Sequence, residues 1–490
     1  MKLIKLSLLA ILCSNVYAQD MFDALRYGQE NLTGTARFRA MGGAFGALGG
    51  DISSINVNPA GSVVANNNQM TFSITNFGNR NNSTYFGNRE SERDNQFDIN
   101  QIGALFVFRD DSKKMNKFAI GLNYENSNHF NNTIFSAGTS TNPFANYFLH
   151  FANGIPLGQL TGTSYGNLGF AGQQAFLGYE SYVINPATND PSNTQYFANV
   201  SPGNFYQENF IQNVGYNGKL TLNFAGQVDR LQFGANLNAY FSDFNRTQIF
   251  YEENSNNTLN GLQRMQFTNN LYTYGSGFSA QLGTIYRVTD ALRIGASYES
   301  PTWFRFNDEL SQGISTVDSE NGQDFTNTVN PNIINIYPTY RLRTPSRVTG
   351  SAAYVFKNGL ISFDYSYRDF SNMRYRPESD PFFRPINAQM SNELTGTNEF
   401  RVGTEYKIKA LSLRAGFRHE DSPFRNGRSI GALTNYNAGL GYNFGSTKAD
   451  LAYGYFKRNS NTPFFSEGFT QSANIDQIQH NITLSLLFEL

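Results

Sequence analysis

Residues 220–241 read LTLNFAGQVDRLQFGANLNAYF. Leu220, Leu222 and Phe224 alternate with Thr221, Asn223 and Ala225. After Val228-Asp229-Arg230, Leu231, Phe233, Ala235, Leu237, Ala239 and Phe241 alternate with Gln232, Gly234, Asn236, Asn238 and Tyr240. A period of two marks a strand with two unlike faces, and a short turn between two such runs makes an antiparallel hairpin. One face is apolar; the other is mostly small and polar. The same rhythm returns in FAIGLNY (118–124), LRIGASY (292–298), LISFDYSYRDF (360–370), LSLRAGFRH (411–419) and the terminal NITLSLLFEL (481–490).

Two architectures present such strands. In a soluble sandwich the apolar faces meet in a core; in a membrane barrel they meet lipid, and the polar faces line a lumen. The connections separate the two. Fourteen strands are predicted near 68–77, 98–110, 117–127, 217–228, 230–243, 271–288, 291–304, 339–356, 359–373, 398–407, 410–424, 434–445, 448–459 and 476–490. Tight turns (DDSKKMN, VDR, VTDA, FKNG, IKA, GST) follow the even strands. Long segments follow the odd ones, near 78–97, 128–216, 244–270, 305–338, 374–397, 425–433 and 460–475. Short turns at one end and long loops at the other are the habit of outer-membrane barrels. Closure also removes sheet edges, whose unpaired backbone groups would each cost several kcal/mol in hydrocarbon. The chain therefore reads as all-β, a 14-stranded antiparallel transmembrane β-barrel, its last strand turning Ile482, Leu484, Leu486, Phe488 and Leu490 to lipid.

Lys2, Lys5, the apolar run 6–12 and Val16-Tyr17-Ala18 make an export signal cut before Gln19. Leu12 is too large to precede a lipidated Cys13, which is the only cysteine. The mature chain thus has no thiol, which excludes a disulfide scaffold, a thiol nucleophile and a zinc–cysteine site. With 37 Lys+Arg against 38 Asp+Glu there is no basic footprint for nucleic acid. After the leader no run approaches the roughly 18 apolar residues of a spanning helix.

The stretch before the first strand, GTARFRAMGGAFGALGGDISSINVNPAGS (34–62), starts on the periplasmic side and can fold into the lumen. Met41, Phe45, Leu48, Ile52 and Ile55 recur at helical spacing, while Gly42, Gly43, Gly46, Gly49 and Gly50 each cost about 1 kcal/mol against helix. Such a stripe needs a wall around it. Asp51 or Ser53 is expected to cap a short helix after Gly49-Gly50. Asn58-Pro59 is expected to give an extended residue and then a turn, with the Asn amide free to bond nearby backbone. The chain divides into a signal peptide (1–18), an N-terminal hatch (19–67) and the barrel (68–490).

RAMGGAFGALGGDISSINVNPAG (39–61), followed by strand one, and GFSAQLGTIYRVTDALRIGASYESP (277–301) resemble the hatch and central hairpin of the FadL/TodX family of outer-membrane transporters for long-chain fatty acids and aromatic hydrocarbons. The family's Asn-Pro-Ala motif falls on Asn58, Pro59 and Ala60, in a hatch that includes Gly42, Gly43 and Gly46. The resemblance implies passive, hatch-gated uptake of hydrophobic compounds captured by the extracellular loops. It also implies a lateral exit near strand three, with a hydrophobic small molecule and outer-membrane lipid as partners, no cofactor, and the outer membrane of a Gram-negative bacterium as location. The alternative it leaves open is a PorV-like barrel scaffold of a protein secretion system, gripping another protein through its long loops.

A captor of apolar molecules needs an apolar surface reachable from outside, with one cation where the ligand is a carboxylate. Trp303, Phe304, Arg305 and Phe306 open the fourth long loop. Phe144, Tyr147, Phe148 and Phe151 fall on an apolar helix in PFANYFLHFANGI (143–155), within the large second loop. An interfacial girdle and simple loop packing are the plain alternatives. Arg341 and Arg343 could meet a carboxylate, or lumen arginines could pair with Asp364 or Glu405. Gly121 is a plausible bend in strand three. Four histidines, no G-x-S-x-G elbow and only a rim cluster, His419, Glu420 and Asp421, argue against an enzyme. No metal site is expected either.

Overall fold

The computed structural model describes residues 19–110, 112–256 and 258–490, so the expected signal peptide lies outside the described residues. Fourteen antiparallel strands close into one barrel. They are β1 (Gln69–Tyr85), β2 (Asn88–Arg109), β3 (Met115–His129), β4 (Phe205–Val228), β5 (Leu231–Asn254) and β6 (Gly261–Arg287). β7 runs Leu292–Glu299 and continues as Trp303–Glu320, and β8 runs Arg347–Phe356 after a short segment Tyr340–Arg343. β9 (Gly359–Asp369), β10 (Gly396–Ile408), β11 (Leu411–Glu420), β12 (Ile430–Asn443), β13 (Thr447–Ser460) and β14 (Asn474–Glu489) complete the wall. The seam pairs β1 with β14 from Gln69↔Glu489 to Thr84↔Asn474.

Burial inverts the pattern of a soluble protein. Leu282 is 62% exposed while its neighbour Gln281 is 1% exposed. Leu220, Leu222, Phe224, Phe233, Leu237 and Phe241 likewise face out, and Thr221, Asn223, Asn236 and Asn238 face in. An apolar exterior around a polar lumen is stable only in lipid.

The expected long loops 78–97, 244–270 and 305–338 are mostly strand. β1 and β2 continue to a two-residue turn at Phe86-Gly87, both with positive φ, as the tight hairpin twist requires. Above the bilayer no lipid demands an apolar outer face, so the hydrophobic alternation fades at Gly78, Arg80 and Asn82 while the backbone ladder runs on. The second loop does contain the expected helix, α3 (Ala145–Ala152). It packs with the helix Phe170–Glu180 and with Phe250, Phe267, Phe464, Phe465 and Phe469 into an aromatic cap.

Residues 19–65 fill the lumen beneath that cap. α1 (Met21–Gly28) begins with a capping box between Asp20 and Asp23, and α2 (Ala36–Ala40) is capped by Thr35. The apolar stripe from Met41 to Ile55 is not one helix face, which corrects the expectation from its spacing. Gly42 and Gly43 (φ 64° and 75°) and Gly49 and Gly50 break the chain into turns. Met41, Phe45 and Leu48 then pack with Leu32, Phe38 and Val57, whereas Ile52 packs against Leu105, Ala119 and Ala225 of the wall. The plug also touches the seam. Ser73 of β1 and Ser485 of β14 share a 2.6 Å hydroxyl contact, and the Ala36 amide donates to the same Ser485 Oγ at 2.7 Å.

Candidate translocation path

The hatch is fixed by its Asn-Pro turn. Asn58 is extended (φ −145°, ψ 113°) and its Oδ1 accepts from the Ala60 amide at 3.1 Å, capping the 3-10 turn Pro59–Val64. Its Nδ2 donates to Gly46 O at 2.7 Å and to Thr284 O of β6 at 2.9 Å. Pro fixes the conformation and supplies no competing N–H. Space for the turn comes from three wall glycines. A Cβ on Gly234 would lie 2.5 Å from Pro59 C, one on Gly283 2.1 Å from Asn58 Oδ1, and one on Gly295 2.6 Å from Gly46 O. Asp51 is the residue that caps Ile52–Asn56, accepting from Ser53 N at 2.9 Å and Thr35 Oγ1 at 2.8 Å. Gly46 N donates to the Asp364 carboxylate at 3.0 Å.

Ion pairs tie the plug to one side of the lumen. Glu30 meets Arg347 at 3.1 Å and Arg368 at 2.8 Å, and Arg37 meets Glu405 at 3.0 Å. Burial opposes the charge on Glu30, yet Arg347 and Arg368 hold its carboxyl well below the usual range. Asp20 makes no ion pair of that kind among the described residues, and burial, with Asp23 beside it, outweighs the more distant Arg246 and Arg26 and pushes its carboxyl up to about 7. Glu405 thus takes arginines, as expected of lumen acids, but not the expected ones: Arg341 is exposed and Arg343 half-exposed, with Leu342 between them turned inward.

On the opposite side the wall is interrupted. β2 and β3 pair from Arg109↔Lys117 to Gln101↔Glu125 and no further, while β2 stays paired with β1 up to Asn88. The bend in strand three is not at Gly121, which sits in regular register between Leu105 and Asn223. It lies at Asn126–Asn128, where the register with β4 slips. Beyond it, the strand Asn132–Ser140 stays paired with β4, from Asn132↔Asn213 to Ser140↔Phe205, but is displaced onto the lumen face of β1, with Asn79 Nδ2 donating to Asn131 O at 2.8 Å and Asn81 Nδ2 to Thr133 O at 2.6 Å. The ladder edge of β2 is left facing a slot crossed by side chains. Asn126 Nδ2 donates to Asp98, and Thr133 Oγ1 to Asp94 at 2.9 Å. Phe97 and Ile99 project outward beside it. The hatch is pinned here as well, the Asn31 amide donating to Ser127 O at 3.2 Å and to Asn128 Oδ1 at 3.0 Å.

Among the cavities of this interior, two flank α1. The upper, about 490 Å³, sits under the cap between Phe22, Tyr147, Phe151, Leu310, Phe464 and Phe465, with Asp20 and Asp23 at its floor. Arg246 reaches into it, and its Nε is buried without a hydrogen-bond partner among the described residues. The lower, about 200 Å³, lies beside the bend of β3 between Gln29, Asn128, His129, Asn213, Gln477 and Gln479. Tyr27 of α1 stacks on Phe306 at 4.2 Å, and Phe304 lies beside it.

The sequence-derived ligand residues therefore scatter. Trp303 and Arg305 are exposed and face outward, Phe304 and Phe306 are buried beneath α1, and Phe148 lies inside the cap rather than on the cavity. Tyr147 and Phe151 do line it. Arg246, Phe464 and Phe465 were missed, although strand parity counted inward from Ser242 and Phe244 would have found Arg246. His419 and Glu420 point to opposite sides of β11; His419 lies 3.6 Å from Asp421, while Glu420 pairs with Arg418 at 2.8 Å, so only two of the three rim residues come together.

A family model for outer membrane protein transport proteins (OMPP1/FadL/TodX) matches residues 184–482. The chain belongs to this family. It is an outer-membrane protein. Among solved structures it is similar to a Pseudomonas aeruginosa FadL homologue (12% identity, TM-score 0.53), covering 94% of this chain and 99% of that one. It is similar to the P. putida toluene transporter TodX as well (14% identity, TM-score 0.53), with the same coverage. At such identities the likeness establishes the family's hatch-containing barrel fold. No curated protein matches the chain in sequence.

Proposed function

We propose that this barrel takes up hydrophobic compounds passively, capturing them in the cavity under the cap and releasing them sideways through the slot beside β3. The observation that carries the reading is the slot itself: the ladder between β2 and β3 stops at Gln101↔Glu125, beside Phe97 and Ile99 on the outer face, and the hatch is hydrogen-bonded to its rim. Displacing residues 29–34 from Ser127 and Asn128 would open the lower cavity to the slot, and a shift of α1 with them would join the upper one. The toluene transporter among its structural relatives carries an aromatic hydrocarbon by name, and Arg246, its Nε unpartnered among the described residues beside the aromatic wall of the upper cavity, favours a carboxylate-bearing chain here. The scaffold alternative draws no support from these matches.

The test closes the slot. The mature chain lacks cysteine, so Asp98→Cys with Asn126→Cys can be oxidised without competing pairs. Uptake of radiolabelled oleate by cells lacking their own transporter should fall on oxidation and return on reduction. Asn126→Trp should lower it without oxidation. Full uptake through a crosslinked slot would refute the lateral route.

A further inference from the structure

The lower cavity is a poor place for a hydrocarbon. Each of the charged groups at its wall is already paired: Arg26 with Asp23 at 2.6 Å, Glu30 with Arg347 and Arg368, and Glu420 with Arg418 and with Arg458 at 3.6 Å. What remains free is a set of neutral amides, one imidazole nitrogen and a single guanidinium N–H. Gln29 Nε2, His129 Nε2, Asn213 Oδ1 and Arg458 Nε are buried without a partner among the described residues. The amides of Gln477 and Gln479, two residues apart on the lumen face of β14, make no hydrogen bond there either. Phe130 and Phe456 add apolar faces between these groups.

An apolar ligand would strand these donors and acceptors, and a carboxylate would gain one N–H from Arg458, whose charge already faces Glu420, while leaving Asn213 Oδ1 without a donor. A group bearing several hydroxyls can give to Asn213 Oδ1 and accept from Gln29, Gln477 and Gln479 at once, because each hydroxyl both donates and accepts. The volume, about 200 Å³, holds on the order of six waters at about 30 Å³ each, or one compact ring that replaces them. We propose that the compartment beside the bend of β3 binds the uncharged, hydroxyl-rich head group of an amphiphile whose apolar tail occupies the remainder of the path. This rests on the uptake reading and narrows it: the transported compound carries, at the end away from the carboxylate that Arg246 favours, a glycosyl or polyol head, which a plain aromatic hydrocarbon lacks.

The probes are radiolabelled n-octyl β-D-glucoside, 1-octanol and octanoate, each below its micellar concentration, on the full mature chain in nanodiscs with empty nanodiscs subtracted. The glucoside should be retained at least tenfold more tightly than octanol. Gln477→Leu with Gln479→Leu, and separately Asn213→Leu on the facing strand, should bring that ratio to near unity in proteins that remain folded by the gel shift on boiling. Equal retention of glucoside and octanol by the parent would overturn the proposal, and so would a ratio that survives both variants. Retention of the glucoside without octanoate, together with no oleate uptake by cells, would leave the head-group site standing and remove the uptake reading. Octanoate retention without preference for the glucoside would do the reverse.

Discussion

Asn58→Ala tests how the hatch is held. The substitution removes three hydrogen bonds of 3.1 Å or shorter, Nδ2 to Gly46 O, Nδ2 to Thr284 O and the Ala60 amide to Oδ1, and a long one, Nδ2 to Ala296 O at 3.5 Å. At about 1 kcal/mol net for each of the three shorter bonds, the docked hatch loses about 3 kcal/mol. With tenfold for every 1.4 kcal/mol, local opening becomes roughly 100-fold more frequent. Amide hydrogen exchange of residues 46–60 should accelerate by about that factor, while amides of β5 and β6 exchange as before. Asn58→Asp separates tether from cap. It keeps an oxygen for Ala60 N but turns a carboxylate toward the carbonyls of Gly46 and Thr284, so it should exchange at least as fast as the alanine variant. Parent-like protection in Asn58→Asp would refute the reasoning, because the cap alone would then be enough.

Gly283→Leu would place a Cβ 2.1 Å from Asn58 Oδ1, so the hatch should fail to seat in a barrel that still shifts on a gel when boiled; sensitivity of cells to a large hydrophilic antibiotic should rise. Asp20, with its carboxyl pushed up to about 7, docks α1 best when protonated, so this contribution is full below the unfolded value near 4 and is lost as pH rises through 7. Glu30 runs the other way, its stabilisation present at neutral pH and lost only in acid, so between pH 5.5 and 8.5 Asp20 decides. Exchange of Met21–Gly28, corrected for intrinsic rate, should be faster at pH 8.5, and Asp20→Asn should flatten the difference. Arg246→Met should lower the ratio of octanoate to octanol retention at least tenfold, measured on nanodiscs.

Much of the wall was legible because lipid imposes a two-residue period on every spanning strand, and Leu282 beside Gln281 carries it plainly. The period ends where the lipid ends, which is why the extracellular halves of β1 and β2 read as loop although their backbones stay paired. In the hatch, local chemistry was legible at Asp51 and Asn58, since caps and Asn-Pro turns act within a few residues. The path was not. Arg246, Phe464 and Phe465 converge from strands and loops far apart in sequence, and the bend at Asn126–Asn128 replaces a glycine signal with a slip of register that three polar residues conceal. Trp303 and Arg305 drew attention by residue type, whereas their parity turns them away from the lumen.

The hydroxyl junction at the seam bears on biogenesis. Ser73 and Ser485 come from the first and last strands, and Ala36 of the plug is bonded to the same oxygen. Arg39 Nη1 adds a bond to Thr75 at 3.1 Å, and Thr75 meets Thr483 across the seam at 2.9 Å. When an assembly machine delivers the last strand to the first, the lumen side of that junction belongs to the plug. The ladder of the seam can form by itself, but a nascent barrel with its leading segment left outside would close without the bonds that Ala36 and Arg39 add to that junction, so a seated plug holds the wall shut from within.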